Sequence, residues 1–274
     1  MSRRIPLSPL SLLISVKNNF QIITQMTKRD VIGRYKGSVM GILWSFLTPL
    51  FMLAVYTFVF SVVFKARWGN SATESKGDFA IILFAGMIVH GLFAEALNRA
   101  PSLILGNANY VKKVIFPLEI LPIVAVGAAL FHGLISLLVL TAAILVLGKP
   151  LHWTILITPL VLLPLLIFTL GLTWFIASVG VYLRDVGQTV GIITTIMLFL
   201  SPVFFPVSAL PENMQPMMMA NPLTFIIEQI RQVLIWGNTP DWPGLAFYLL
   251  VSCLVAWLGY AWFQKTRRGF ADVL

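Results

Sequence analysis

Long apolar runs recur along the chain, separated by short polar or proline-bearing breaks. Runs at 39–64, 79–98, 119–147, 155–181, 188–205 and 244–263 approach or exceed the ~20 helical residues that cross a ~30 Å hydrocarbon core. They predict six transmembrane helices and hence an all-α membrane protein. Pro49, Pro122, Pro159 and Pro164 fall inside the runs. They predict kinks, which a membrane helix tolerates when its neighbours satisfy the freed carbonyls.

A different period precedes the first run. Leu13, Val16, Phe20, Ile23 and Met26 recur every three or four residues, with Lys17, Asn18, Gln21, Gln25 and Lys28 on the other side. This predicts an amphipathic helix over 11–34 lying in the inner membrane interface. Either it anchors the chain to the surface, or its polar face docks a cytoplasmic partner. Lys28, Arg29, Arg34 and Lys36 crowd the junction between it and the first span. Gly33, Gly37 and Gly41, four apart, predict a small-residue stripe on which another helix packs closely.

Composition agrees with the pattern. Hydrophobic residues make up 58% of the chain and charged residues 11%, against about 25% charged in soluble domains, and the mean hydropathy is +0.91. Residues 1–274 read as a single membrane domain. Pro6, Pro9 and Lys17 interrupt the first apolar residues, so no cleavable signal is expected. Most of the nineteen Lys and Arg residues fall on one side of the predicted spans. They are Arg3, Arg4, Lys17, Lys28, Arg29, Arg34, Lys36, Arg99, Lys112, Lys113, Arg184, Lys265, Arg267 and Arg268, against Lys65, Arg67, Lys76, Lys149 and Arg231 on the other. The positive-inside rule puts both termini in the cytoplasm. Trp68, Trp153 and Trp242 sit at predicted outer boundaries and Trp44 and Trp262 near inner ones, while Trp174 and Trp257 do not fit such a belt.

Two connections exceed what a turn needs. The inner one, 99–118, carries Pro101, Gly106, Asn107, Asn109, Tyr110, Lys112 and Lys113. It reads as a solvated loop with orienting lysines, or as a short helix level with the membrane that a motor subunit contacts. The outer one, 206–236, holds several prolines yet stays apolar, which an exposed loop does not require. Two short helices, near 211–219 and 222–236, re-entering the outer leaflet account for it.

Catalytic chemistry is missing from the pattern. There is no phosphate-binding G-x-x-x-x-G-K-[ST] loop and no metal-ligand spacing, and Cys253 is the sole cysteine. His90 and His132 stand singly within spans, as expected of packing or a hydrogen bond. Glu95 and Arg99, spaced i, i+4, are expected to pair with each other. A proton-coupled carrier would need charge deep in a span. A membrane transferase would need clustered carboxylates, and the ten acidic residues are scattered.

The run "KRDVIGRYKGSVMGILWSFLTPL" from Lys28, followed by "YTFVFSVVFKARWG" and "NANYVKKVIFPLEILP", resembles the membrane subunit of ABC-2 type polysaccharide exporters. The O-antigen export permeases of Gram-negative bacteria are most similar, capsule and teichoic-acid permeases less so. The resemblance covers nearly the whole chain. It implies a homodimer in the bacterial inner membrane joined to two copies of a separate ATP-binding subunit. That subunit binds the ATP, and the permease itself needs no cofactor. The cargo implied is an undecaprenyl-diphosphate-linked glycan, moved outward, with no nucleic-acid partner. The 99–118 loop becomes the coupling segment through Asn107, Asn109, Tyr110, Lys112 and Lys113, and 206–236 becomes a pair of periplasmic gate helices. Sugar rings pack their C–H faces on aromatic side chains, which makes Tyr56, Phe58, Phe60, Phe199, Phe204 and Phe205 candidate liners of the path. Arg29, Arg34, Tyr35 and Lys36 stand where the lipid diphosphate would meet the inner interface.

Overall fold

The computed structural model describes residues 8–64, 68, 76–112 and 116–274. Lys65, Arg67 and Lys113 lie outside them. Every regular element among the described residues is helical. Five helical stretches are long and apolar enough to cross a membrane: Gly41–Phe60, Gly77–Ser102, Ile120–Val146, Trp153–Tyr182 and Trp242–Val273.

The amphipathic segment forms two helices. Pro9 takes the first position of α1 (Pro9–Asn18), and the Ser8 hydroxyl accepts from the Ser11 N–H. Asn19 leaves helical geometry at φ −107° and ψ 13°, and its amide donates to the Ser15 carbonyl. Helix α2 (Phe20–Arg34) begins beyond this break. Leu13 and Phe20 are left 65% exposed, while Val31 is buried and Met26 packs into a core cluster. Two of the five residues of the expected stripe, Leu13 and Phe20, therefore face away from the chain. Helix α2 instead runs beside a later span. The Ser15 hydroxyl donates to Glu119 at 3.0 Å, and Thr27 sits where a Cβ on Gly127 would meet it at 3.2 Å.

The glycine spacing has another cause than helix packing. An added Cβ on Gly33, Gly37 or Gly41 meets nothing within 4 Å, and Gly37 and Gly41 hold φ of 86° and 53°. They turn the chain between α2 and α3 (Trp44–Tyr56) in a conformation that costs other residues energy. Only 6% of the Gly41–Phe60 window is buried, against 78% of the Gly77–Ser102 window. Helix α4 (Lys76–Arg99) is therefore the hub, and α3 keeps an uncovered face.

Packing at the α2 end of the molecule gathers the ends of the spans. Helix α5 (Ala108–Lys112) lies in the 99–118 connection ahead of α6 (Ile120–Val146). Within that connection Ala100 and Ile104 are fully buried, while Ser102, Leu105, Gly106, Asn109 and Lys112 are exposed. Trp174, on α7 (Thr158–Tyr182), is also fully buried and donates to the Glu119 carbonyl at 2.9 Å. That interior role explains why it fits no interfacial belt.

The fifth predicted span is shorter than expected. Helix α8 (Val186–Phe199) has 14 residues, about 21 Å at 1.5 Å per residue. It ends because the chain turns at Leu200 and Ser201, where the Asn221 amide donates to the Leu200 carbonyl at 2.9 Å. Beyond come α9 (Gln215–Met219) and α10 (Pro222–Arg231). The same Asn221 caps α10 by accepting from the Leu223 N–H, with Pro222 preset at its first position. Leu223, Ile226, Ile227 and Ile230 give α10 one fully buried face. A π-helical turn, Gln232–Trp236, extends it to Gly237 at φ 71°.

Helix α11 (Trp242–Thr266) crosses α7 glycine to glycine, and α12 (Phe270–Val273) follows it. A Cβ on Gly259 would stand 2.0 Å from the Gly171 carbonyl oxygen, so backbone itself fills that contact. Gly259→Val is expected to lower the detergent-state unfolding midpoint by roughly 5 °C or more. Gly33→Ala, with open space around it on helix α2, serves as the control and should not lower the midpoint.

Candidate functional site

Charge on α2 meets charge on α4 in mirrored order. Asp30 and Arg34 are one turn apart on α2, as are Arg99 and Glu95 on α4. Arg99 Nη2 lies 2.7 Å from Asp30 Oδ1 and Arg34 Nη2 lies 2.6 Å from Glu95 Oε1. The expected Glu95–Arg99 pair within α4 is therefore replaced by two pairs between helices. The reason is geometric: side chains four apart share a face, and α2, packed along α6, brings complementary charges within reach of that face.

His132 of α6 completes the cluster. Its Nδ1 is 2.8 Å from Glu95 Oε1, and its Nε2 is 3.2 Å from the Tyr35 hydroxyl. A neutral ring protonated on Nδ1 donates to Glu95 and accepts from Tyr35. Burial pushes the Tyr35 phenol above its ordinary value, so it keeps the proton it donates. His90 makes the expected single bond, with Nε2 2.9 Å from the Thr194 carbonyl, joining α4 to α8.

Two cavities meet at Arg34. One, about 560 Å³, is lined by Arg29, Asp30, Gly33, Arg34 and Arg99. The other, about 370 Å³, lies between α3, α4 and α6, with Arg34, Tyr35, Glu95 and His132 in its wall. Of the four residues expected to meet a diphosphate, Arg29 and Arg34 therefore share a cavity. Tyr35 turns to His132, and Lys36 stays exposed on the turn. Arg99, Asp30, Glu95 and His132 were not anticipated here. The mirrored charge order of 30/34 and 95/99 was the available signal.

The coupling candidates connect to this corner. Tyr110 stacks on Phe116 with centroids 4.4 Å apart, and its hydroxyl accepts from Arg29 Nη2 at 3.3 Å. Lys112 donates to the Leu274 carbonyl oxygen. Asn107 turns inward to the Leu103 carbonyl at 2.8 Å, and Asn109 is exposed.

At the opposite end the aromatic candidates form a chain of rings. Phe60 lies 6.5 Å from Tyr56 and 5.7 Å from Phe204, and Phe204 lies 5.7 Å from Phe199. Phe205 is half-buried beside them in sequence, while Phe58 is 60% exposed. Behind these rings lies Arg231, expected as an outer cation but fully buried. Its guanidinium donates to the Ile82 carbonyl at 3.1 Å, the Val203 carbonyl at 3.2 Å and Glu228 at 2.8 Å. It also stands 4.1 Å from the Trp68 ring centre, a cation–π contact. Helix α4, the turn at Val203 and Trp68 are thereby fastened to one cation of α10.

Helices long and apolar enough to span a membrane, packed around α4 with a cationic corner at one end and a chain of aromatic rings at the other, mark a polytopic membrane protein. Residues 21–235 match the ABC-2 type transporter family. The chain belongs to that family, whose members are transmembrane transporter subunits. It is 28% identical over 253 residues to the O-antigen export system permease protein RfbA of Myxococcus xanthus, covering 92% of this chain and 94% of the relative. Two Klebsiella pneumoniae proteins of the same name are 26% and 25% identical over 256 residues, 93% of this chain and 95% of theirs.

The interhelical pairs can be tested by charge exchange. Arg99→Asp alone faces Asp30 with a second carboxylate and is expected to reduce the yield of monodisperse protein and its unfolding midpoint. Asp30→Arg combined with Arg99→Asp is expected to recover most of the loss, with a coupling of about 0.5–3 kcal/mol in thermal unfolding.

Proposed function

We propose that this chain is the permease half of an ABC exporter. It moves an undecaprenyl-diphosphate-linked O-antigen polysaccharide from the cytoplasmic to the periplasmic face of the bacterial inner membrane. A separate ATP-binding subunit supplies the energy and holds the ATP, and the permease itself performs no catalysis. The observation that carries this reading is similarity to O-antigen export permeases over more than nine-tenths of the chain.

Each part of the geometry takes a role. The uncovered face of α3 meets the same face of a second copy, and the two copies enclose the path. Both termini lie in the cytoplasm, and two ATP-binding subunits dock beneath. Arg29 and Arg34 receive the lipid diphosphate at the inner interface, with Tyr35 and Lys36 beside them. Tyr56, Phe60, Phe199 and Phe204 offer successive ring faces to a sliding glycan, which needs many weak, similar contacts. Phe58 and Phe205 extend that surface. Residues 206–236 gate the outer end, fixed to α4 through Arg231.

Residues 99–118 receive the push of the ATPase. Asn107, Asn109, Tyr110, Lys112 and Lys113 form the contact, and the Arg29–Tyr110 hydrogen bond supports a direct link from the motor to the substrate corner.

Reconstitution tests this. Vesicles holding the permease with its ATP-binding partner subunit are expected to export lipid-linked polysaccharide only with ATP. Replacing Tyr110, Lys112 and Lys113 with alanine is expected to leave insertion and ATP hydrolysis intact while export stops. Export without ATP or without the ATPase would overturn the reading, and normal export by the triple variant would remove this loop from coupling.

A further inference from the structure

The two cavities that share Arg34 differ in chemistry. The larger presents Arg29, Arg34 and Arg99, with Asp30 already on Arg99. Glu95 occupies Arg34 from the other side. Three guanidiniums against two carboxylates leave a net positive corner, suited to a compact anion. The smaller cavity turns apolar past its polar collar, with Pro49, Met52, Tyr56, Phe84, Ile88 and Leu92 in the wall. At about 370 Å³ it lies within the ~300–1,000 Å³ of small-molecule clefts. Methionine and aromatic walls adapt to flexible chains.

We propose that this smaller cavity, between α3, α4 and α6, seats the first isoprene units of the lipid carrier while the corner at Arg29, Arg34 and Arg99 holds its diphosphate. The proposal rests on the substrate reading above and adds the chain's own site. A compact multiply charged head joined to one apolar chain matches two adjoining cavities with one arginine between them. A phosphatidylglycerol molecule shares the anionic head and apolar chain but brings a single phosphate and two chains. One apolar cleft past one arginine fits the single chain better. Glu95 and His132 hold Arg34 in the wall common to both cavities, which makes them positioning residues.

Gly91 supplies the test. It lines the smaller cavity, and a Cβ there meets nothing within 4 Å. Leucine favours helix over glycine, so Gly91→Leu directs an apolar side chain into the cavity from an open Cβ position. The measurement is photolabelling of the full-length protein in lipid nanodiscs by a benzophenone-tagged farnesyl diphosphate. Labelled peptides are expected from α3, α4 and α6, with competition by untagged farnesyl diphosphate and none by phosphatidylglycerol at equal concentration. Gly91→Leu is expected to cut labelling about tenfold with the unfolding midpoint unchanged. Should that variant not fold, Met52→Trp blocks the same space from the exposed helix α3 and is expected to give the same loss.

Wild-type labelling by a folded Gly91→Leu or Met52→Trp protein would overturn the proposal, as would equal competition by phosphatidylglycerol. If Arg29→Gln with Arg34→Gln abolishes labelling while the cavity-filling variants do not, the chain's seat falls and the diphosphate reading stands. No labelling of the wild type would overturn both.

Discussion

The crossed ion pairs between α2 and α4, Asp30 with Arg99 and Arg34 with Glu95, tie the N-terminal helix, packed along α6, to the central span. Exposed pairs of this kind contribute only about 0–1 kcal/mol each. Their importance lies in position. They fix where Arg29 reaches Tyr110, where Tyr35 reaches His132, and where the Gly37–Gly41 turn launches α3. One register between two helices thereby sets the inner corner, the start of the first span and the link to the inner connection.

The outer half is organised by burial instead of paired surface charge. Arg231 is removed from solvent, and removing such a charge is tolerable only because two carbonyls, a carboxylate and an aromatic face surround it. Asn221 adds a second fastening by serving the end of α8 and the start of α10 together. The apolar face of α10 and these two polar joints hold the outer connection to the hub, beside the rings of Phe60, Phe204 and Phe199. A firm inner register and a fastened outer connection are what a chain built around a central helix needs at its two ends.

Hydropathy was enough to place most of the spans, because a lipid-facing helix must be apolar over its whole length. It overextended the fifth because Leu200 to Phe205 are as apolar as helix yet form turns held by Asn221. Spacing alone misassigned the glycines: a separation of four suits both helix packing and, as at Gly37 and Gly41, two left-handed turn positions. The Glu95–Arg99 expectation failed for a related reason. Sequence displays neighbours along one helix, whereas the partners arrive from another. Tyr110 and Arg29 were both singled out in sequence, and the contact between them became visible only in three dimensions.

Cross-linking across the α2–α4 contact tests the account most directly. Cysteines replacing Asp30 and Arg99, in a chain with Cys253→Ser, are to be treated in native membranes with a short bis-methanethiosulfonate reagent. The account predicts high-yield intramolecular cross-linking of 30 to 99, and little of 30 to a cysteine placed at Glu212 in the outer connection. Two reactive cysteines at 30 and 99 that fail to join would contradict it.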